Sequence, residues 1–206
     1  MNAAEFDPTA WPGDMRITMS DANNQLYLLF VRSAWRIEHT GVPELEVEPD
    51  VGASARPPGV DRLEAQSRWR SEWELAWRDF EPRPAGVGIP DAKTQQLLDT
   101  LSDEELWRAT STRPSEYWAA GVDLDAFAAW KISRRPDRTL PLAQHPERVS
   151  VSALIAAWRT GLTEIIELPF AGYYAERVDR ERLIVSAFTR RDPELYTRAL
   201  GTPQAQ

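Results

Sequence analysis

The sequence predicts an α+β protein, with a predominantly helical body and a small antiparallel sheet of two to three strands near the C-terminus. Three observations carry that expectation. Trp69, Trp73 and Trp77 recur every fourth residue within residues 60–80, with Phe80 three further on, so they share one face of a helix. Much of the remaining chain falls into short apolar-periodic stretches opened by Asp or Ser and closed by Gly or Pro. After Gly161 the character changes to short runs rich in β-branched and aromatic residues, at 164–168, 173–178 and 183–188.

Taken in order, residues 1–20 read as a loosely attached N-terminal arm with turns at Asp7-Pro8 and Pro12-Gly13. Ser20 or Asp21 caps a helix running to about Glu38. It is apolar on two sides, through Leu26, Phe30 and Ile37 and through Leu28, Val31 and Trp35, which marks it as central to the core. Residues 40–59 form a proline-rich extended loop. Within it Leu45 and Val47 alternate with Glu44, Glu46, Glu48 and Asp50, a period of two with one acidic face. Asp61 and Glu64 then form a capping box for the tryptophan helix, which is roughly 30 Å long. Glu81-Pro82 closes it.

Asp91 and Ser102 cap two further helices, carrying Leu97, Leu98 and Leu101 and then Leu106 and Trp107. Pro114 opens a short piece with Tyr117 and Trp118, stopped by Gly121. Asp123 caps a helix with Phe127, Trp130 and Ile132, whose C-terminal Lys131, Arg134 and Arg135 suit the helix dipole. Ser150 or Ser152 starts the next, and Gly161 ends it. Asp179-Arg180-Glu181 joins the last two strand-like runs as a hairpin turn, and Asp192-Pro193-Glu194 caps a final short helix. The 206 residues fit a single globular domain.

Composition narrows the function classes. There is no cysteine, which removes disulfides, thiol chemistry and Cys-based zinc sites. The N-terminus lacks a basic region followed by an apolar run, and the longest apolar stretch is far too short to span a bilayer, so the expected location is cytoplasmic. Twenty-two of the 24 basic residues are arginine, the bias of a GC-rich bacterial genome. The net charge of −8 is uneven: residues 1–110 hold 20 acids against 11 bases, and 111–206 hold 12 against 13. Such a balance disfavours binding to nucleic acid or anionic membrane, which needs cations.

No motif for a cofactor, metal or nucleophile stands out. His39 and His145 are far apart and lack metal-ligand spacing; Gly86-Val87-Gly88 lacks the Lys-Ser/Thr of a phosphate loop. Tryptophan faces can bind sugars, bases or methylammonium groups, but helical spacing reads Trp69, Trp73 and Trp77 as core. Arg134 and Arg135 at a helix end, and Arg177, Arg190 and Arg191 around the hairpin, could hold an anionic ligand by bidentate bonds. The acidic strip Glu44, Glu46, Glu48 and Asp50 could dock a basic partner.

The expected function is that of a non-catalytic bacterial protein-interaction protein: an adaptor, an inhibitor or immunity-type factor, or an assembly subunit. A protein partner is expected, and self-association is compatible with the sequence. The alternative is a small-molecule binder or enzyme acting on an anionic ligand held by the C-terminal arginines.

Overall fold

A computed structural model describes residues 11–20, 22–78, 116–134 and 140–204. The helices expected after Asp91 and Ser102, Phe80, the Glu81-Pro82 stop, Gly86-Val87-Gly88 and Arg135 lie outside the described residues. The chain divides into two compact units: Asn23–Thr40 with Pro49–Arg134, and Met1–Ala22 with Gly41–Glu48 and Arg135–Gln206. Among the described residues there are eight α-helices, one 3-10 turn and one four-stranded sheet.

The first unit is helical. Helix α1 (Asn23–Trp35) is buried almost all round, with Leu29, Phe30 and Val31 fully inaccessible. It stops three residues before the expected Glu38. Arg36 takes a left-handed conformation (φ 54°), and the Ile37 amide bonds Arg32 O at 2.9 Å, the hydrogen-bond pattern of a Schellman stop without glycine. Helix α2 (Arg62–Arg78) begins where Asp61 Oδ1 accepts the Glu64 amide at 2.9 Å, as its capping sequence predicts. Ala65, Trp69, Trp73 and Ala76 form its buried face, with Trp77 half-buried beside them.

Two long-range bonds join this face to α1. Trp69 Nε1 donates to Leu28 O at 2.7 Å, and Gln25 Nε2 donates to Ala76 O at 2.9 Å. The indoles of Trp69 and Trp73 stack at 5.2 Å, and Trp77 meets Trp73 edge-on at 5.6 Å. The tryptophan seam is therefore interior at Trp69 and Trp73 and half-buried at Trp77.

Helix α3 (Glu116–Ala119) sets Trp118 edge-on to Trp35, and its Nε1 donates to Glu72. Gly121 follows, and here glycine is required: a Cβ would lie 2.5 Å from Ala55 O and 2.6 Å from the Trp35 ring. Helix α4 (Leu124–Ser133) is capped by Asp123, whose carboxylate accepts the amides of Ala126, Ala53 and Asp125. Those backbone bonds hold the Asp123 pKa below its usual range, despite some opposing desolvation.

His39 packs its ring 5.2 Å from Trp69, and its Nδ1 is buried without a hydrogen-bond partner among the described residues. Burial lowers its pKa from about 6.5; the Arg70 and Arg32 charges add to the effect and Glu74 opposes it. Because the folded pKa lies below the unfolded one, the contribution to stability is complete above pH 6.5 and is lost as pH falls through the folded value. Thermal unfolding should therefore show a loss of stability from about pH 7 to pH 5 that H39Q flattens. An unchanged slope in H39Q would contradict this placement.

The second unit holds the sheet. Strands β1 (Thr18–Ser20), β2 (Glu164–Leu168), β3 (Ala175–Arg177) and β4 (Arg182–Ser186) lie in the order β1-β2-β4-β3. The expectation of a C-terminal antiparallel sheet of two to three strands is corrected on three points. The sheet has four strands, it is mixed, and its edge strand β1 comes from near the N-terminus. Only β3 and β4 pair antiparallel; β1 with β2 and β2 with β4 are parallel.

The hairpin between β3 and β4 is made by side-chain chemistry in place of Asn-Gly. Asp179 Oδ1 accepts the amides of Glu181 and Arg182, both at 2.8 Å. Burial works to raise the Asp179 pKa, but its bonds to Arg182 and to these two amides outweigh that and leave it lowered. The central strands are buried on both faces: Ile165, Ile166, Leu183 and Val185 are fully inaccessible.

Helices α5 (Pro146–Val149) and α6 (Val151–Arg159) follow the 3-10 turn Leu142–Gln144. Helix α6 ends at Gly161 (φ 108°) as its sequence predicts, with the Leu162 amide bonding Ala157 O at 3.1 Å. Helix α7 (Ala187–Arg191) is capped by Ser186. Helix α8 (Pro193–Leu200) is capped by Asp192, which accepts the amides of Glu194 and Leu195. Leu154 and Ile155 of α6 and Tyr196 and Ala199 of α8 share one core with Ile165 and Val185.

Candidate functional site

The extended segment Glu44–Glu48 is built onto the sheet unit by its backbone. Leu45, buried, pairs as an antiparallel bridge with Phe170, itself buried. The Ala171 amide donates to Glu44 O and the Glu46 amide to Pro169 O, both at 2.8 Å. Three residues, Glu44 to Glu46, are thus held against the sheet unit by a hydrophobic peg and two flanking bonds. Pairing stops after Glu46. Leu45 turns inward, but Val47, two residues on, is 72% exposed.

Glu44, Glu46 and Glu48 are all exposed, on a backbone pinned as far as Glu46 and bending at Glu46 and Val47. Glu46 meets Arg191 in an ion pair; Glu44 and Glu48 make no ion pair among the described residues. Asp50, expected as the fourth member of the strip, falls in the other unit. Its Oδ1 accepts the Gly52 amide at 3.0 Å and shapes the left-handed turn there (φ 56°).

Of the arginines expected to hold an anion, Arg177, Arg190 and Arg191 of the sheet unit each have separate partners within the chain. Arg190 is bound by two carboxylates of the chain: Nε donates to Glu147 at 2.8 Å and Nη1 to Glu167 at 2.9 Å. Burial disfavours its charge, but the Glu147 and Glu167 contacts outweigh this and raise its pKa further above the ordinary arginine value. The Tyr196 hydroxyl lies 3.4 Å from the same Glu147 oxygen, and burial, helped by that carboxylate, keeps it protonated. Arg191 is engaged by Glu46. Arg134, in the helical unit, lies with its Cζ 5.5 Å from the centre of the Trp130 ring. Arg135 lies outside the described residues.

Arg177 differs from the others. It is 4% exposed, and its Nε donates to Asp179 O at 2.9 Å and Nη2 to Arg180 O, both backbone carbonyls of the hairpin turn. Register places it opposite Leu183 near the start of β4, whereas Arg190 follows the end of that strand. Arg177 and Arg190 thus sit toward opposite ends of β4 with separate partners.

Sequence reasoning missed Glu147 and Glu167 as partners of Arg190. They lie 43 and 23 residues away, and no local pattern joins them. Among the described residues no cluster of His, Cys, Asp and Glu is arranged to hold a metal ion, and no helix is long and apolar enough to cross a membrane. No family model, curated protein or solved structure matches the chain.

Proposed function

We propose that this chain is a non-catalytic protein-interaction protein that docks a basic, extended segment of a partner along Glu44–Glu48. The reading rests on one observation. Glu44 and Glu46 are presented from a backbone fixed by the Leu45–Phe170 bridge, and the exposed Val47 and Glu48 follow directly after it. A pre-organised strip loses little conformational entropy on binding, and its charge steers a cationic partner. An adaptor, inhibitor or assembly subunit of the bacterial cytoplasm fits this chemistry. The alternative, an anionic ligand held by the predicted arginines, has less support, because Arg190 and Arg191 are occupied by carboxylates of the chain.

A fluorescent peptide of alternating lysine and valine tests the reading. It should bind with an affinity that falls steeply with salt. E44K/E48K should weaken it about tenfold, whereas E181K/E194K, with the same net charge, should leave it nearly unchanged. Equal losses from both pairs would reduce the effect to bulk charge and remove the proposed site.

A further inference from the structure

The sheet unit contains a cleft of about 430 Å³, bordered by α6, the hairpin turn, α8 and the residues after it. That volume is within the range of small-ligand sites. Ala153, Ala156 and Ala157 of α6 and Leu200 of α8 give it an apolar wall. Arg177 and Arg180 supply its charge, and among the described residues no acid lines it. In a chain with 32 acids and 24 bases, a cleft with two cations and no acid is unusual.

Arg177 is the second, independent observation. Its guanidinium is buried, and among the described residues it makes no salt bridge. The two carbonyls it meets satisfy donors without neutralising the charge. Asp179, two residues on, acts on Arg177 only through its charge, because its carboxylate is bonded to Arg182 through Nε at 2.7 Å and through Nη2; Glu176, the adjacent acid, is exposed and accepts the Tyr174 hydroxyl. Burial still outweighs the Asp179 charge and disfavours the Arg177 cation, which has no direct ion pair among the described residues; a bound anion would relieve that cost.

Arg180 is placed by the backbone. Its side chain crosses Gly161, where an added Cβ would lie 2.5 Å from the arginine Nε. That Nε donates to Thr160 O at 3.3 Å, and its two Nη atoms make no hydrogen bond among the described residues. The fork is therefore held at the cleft with its outer donors available.

We propose that this cleft binds a small oxyanion, a carboxylate or phosphate monoester, carrying a short aliphatic chain. The headgroup takes the Arg180 fork and neutralises Arg177, and the chain lies along the alanines of α6. The site is separate from the acidic strip, so E44K/E48K should bind the ligand as the unaltered chain does.

Calorimetric titrations of the full chain with hexanoate, hexyl phosphate and hexanol, at constant ionic strength, test it. Hexanoate, hexyl phosphate or both should bind with Kd on the order of 0.1–1 mM, and the relative affinities identify the headgroup. Hexanol should not bind. R180Q, at an exposed position, should fold and weaken binding about tenfold, and A156L should weaken the amphiphile while leaving far-UV circular dichroism unchanged. The proposal is overturned if neither anion saturates by about 10 mM, if hexanol binds equally well, or if R180Q binds as tightly as the unaltered chain.

Discussion

Replacing Trp69 with alanine should destabilise the helical unit by about 3–5 kcal/mol, among the largest effects of any single truncation. The side chain is fully buried, stacks on Trp73 at 5.2 Å and donates to Leu28 O at 2.7 Å. Removal empties a site walled by two helices whose aromatic neighbours cannot collapse far without leaving their own contacts. W69F keeps most of the apolar volume and loses the indole hydrogen bond, so its loss should be nearer about 1 kcal/mol. Urea unfolding followed by far-UV circular dichroism measures both. A loss below about 1 kcal/mol for W69A would mean that the seam is not the packing centre of this unit.

Removing Arg190 should destabilise the sheet unit nearly as much. R190A leaves Glu147 and Glu167 facing one another without their shared cation, in a setting where each carboxyl side chain is about one-fifth exposed (18% and 21%). Breaking a buried pair costs about 3–5 kcal/mol; partial solvent access here puts the expected loss at about 3 kcal/mol. The triple variant R190M/E147Q/E167Q removes all three charges and should recover much of that loss, since the penalty lies in the orphaned carboxylates. If R190A and the triple variant unfold at the same urea concentration, packing of the arginine stem is what matters, and the ion network does not hold α7 to β2 and α5.

What the residues disclosed in advance is local chemistry. Asp61, Asp123 and Asp192 each accept helix amides at the positions their spacing implies, because a cap needs only its own next three residues. The four-residue repeat of tryptophan gave the buried face of α2 for the same reason, as did Asp179 for the hairpin. Parallel pairing is different. Strand β1 is three residues long and meets β2 more than 140 residues later, so nothing in Thr18-Met19-Ser20 signals it.

The arginines divide along the same line. That Arg177, Arg190 and Arg191 cluster in sequence was plain; which carboxylates engage Arg190 depends on how α5 and β2 pack. Thr160 and Thr197 line one cleft because α6 and α8 pack together, and neither threonine carries a motif.

Amide hydrogen exchange on the chain, alone and saturated with the lysine–valine peptide, tests the docking strip most directly. Val47 and Glu48 follow the last paired amide of the segment, so their exchange should be fast in the free chain and slowed on binding. Slowing confined to peptides covering residues 44–48 and their 169–171 neighbours is the expected result. Slowing centred on α1 and α2, with residues 44–48 unchanged, would place the partner elsewhere and contradict the assignment.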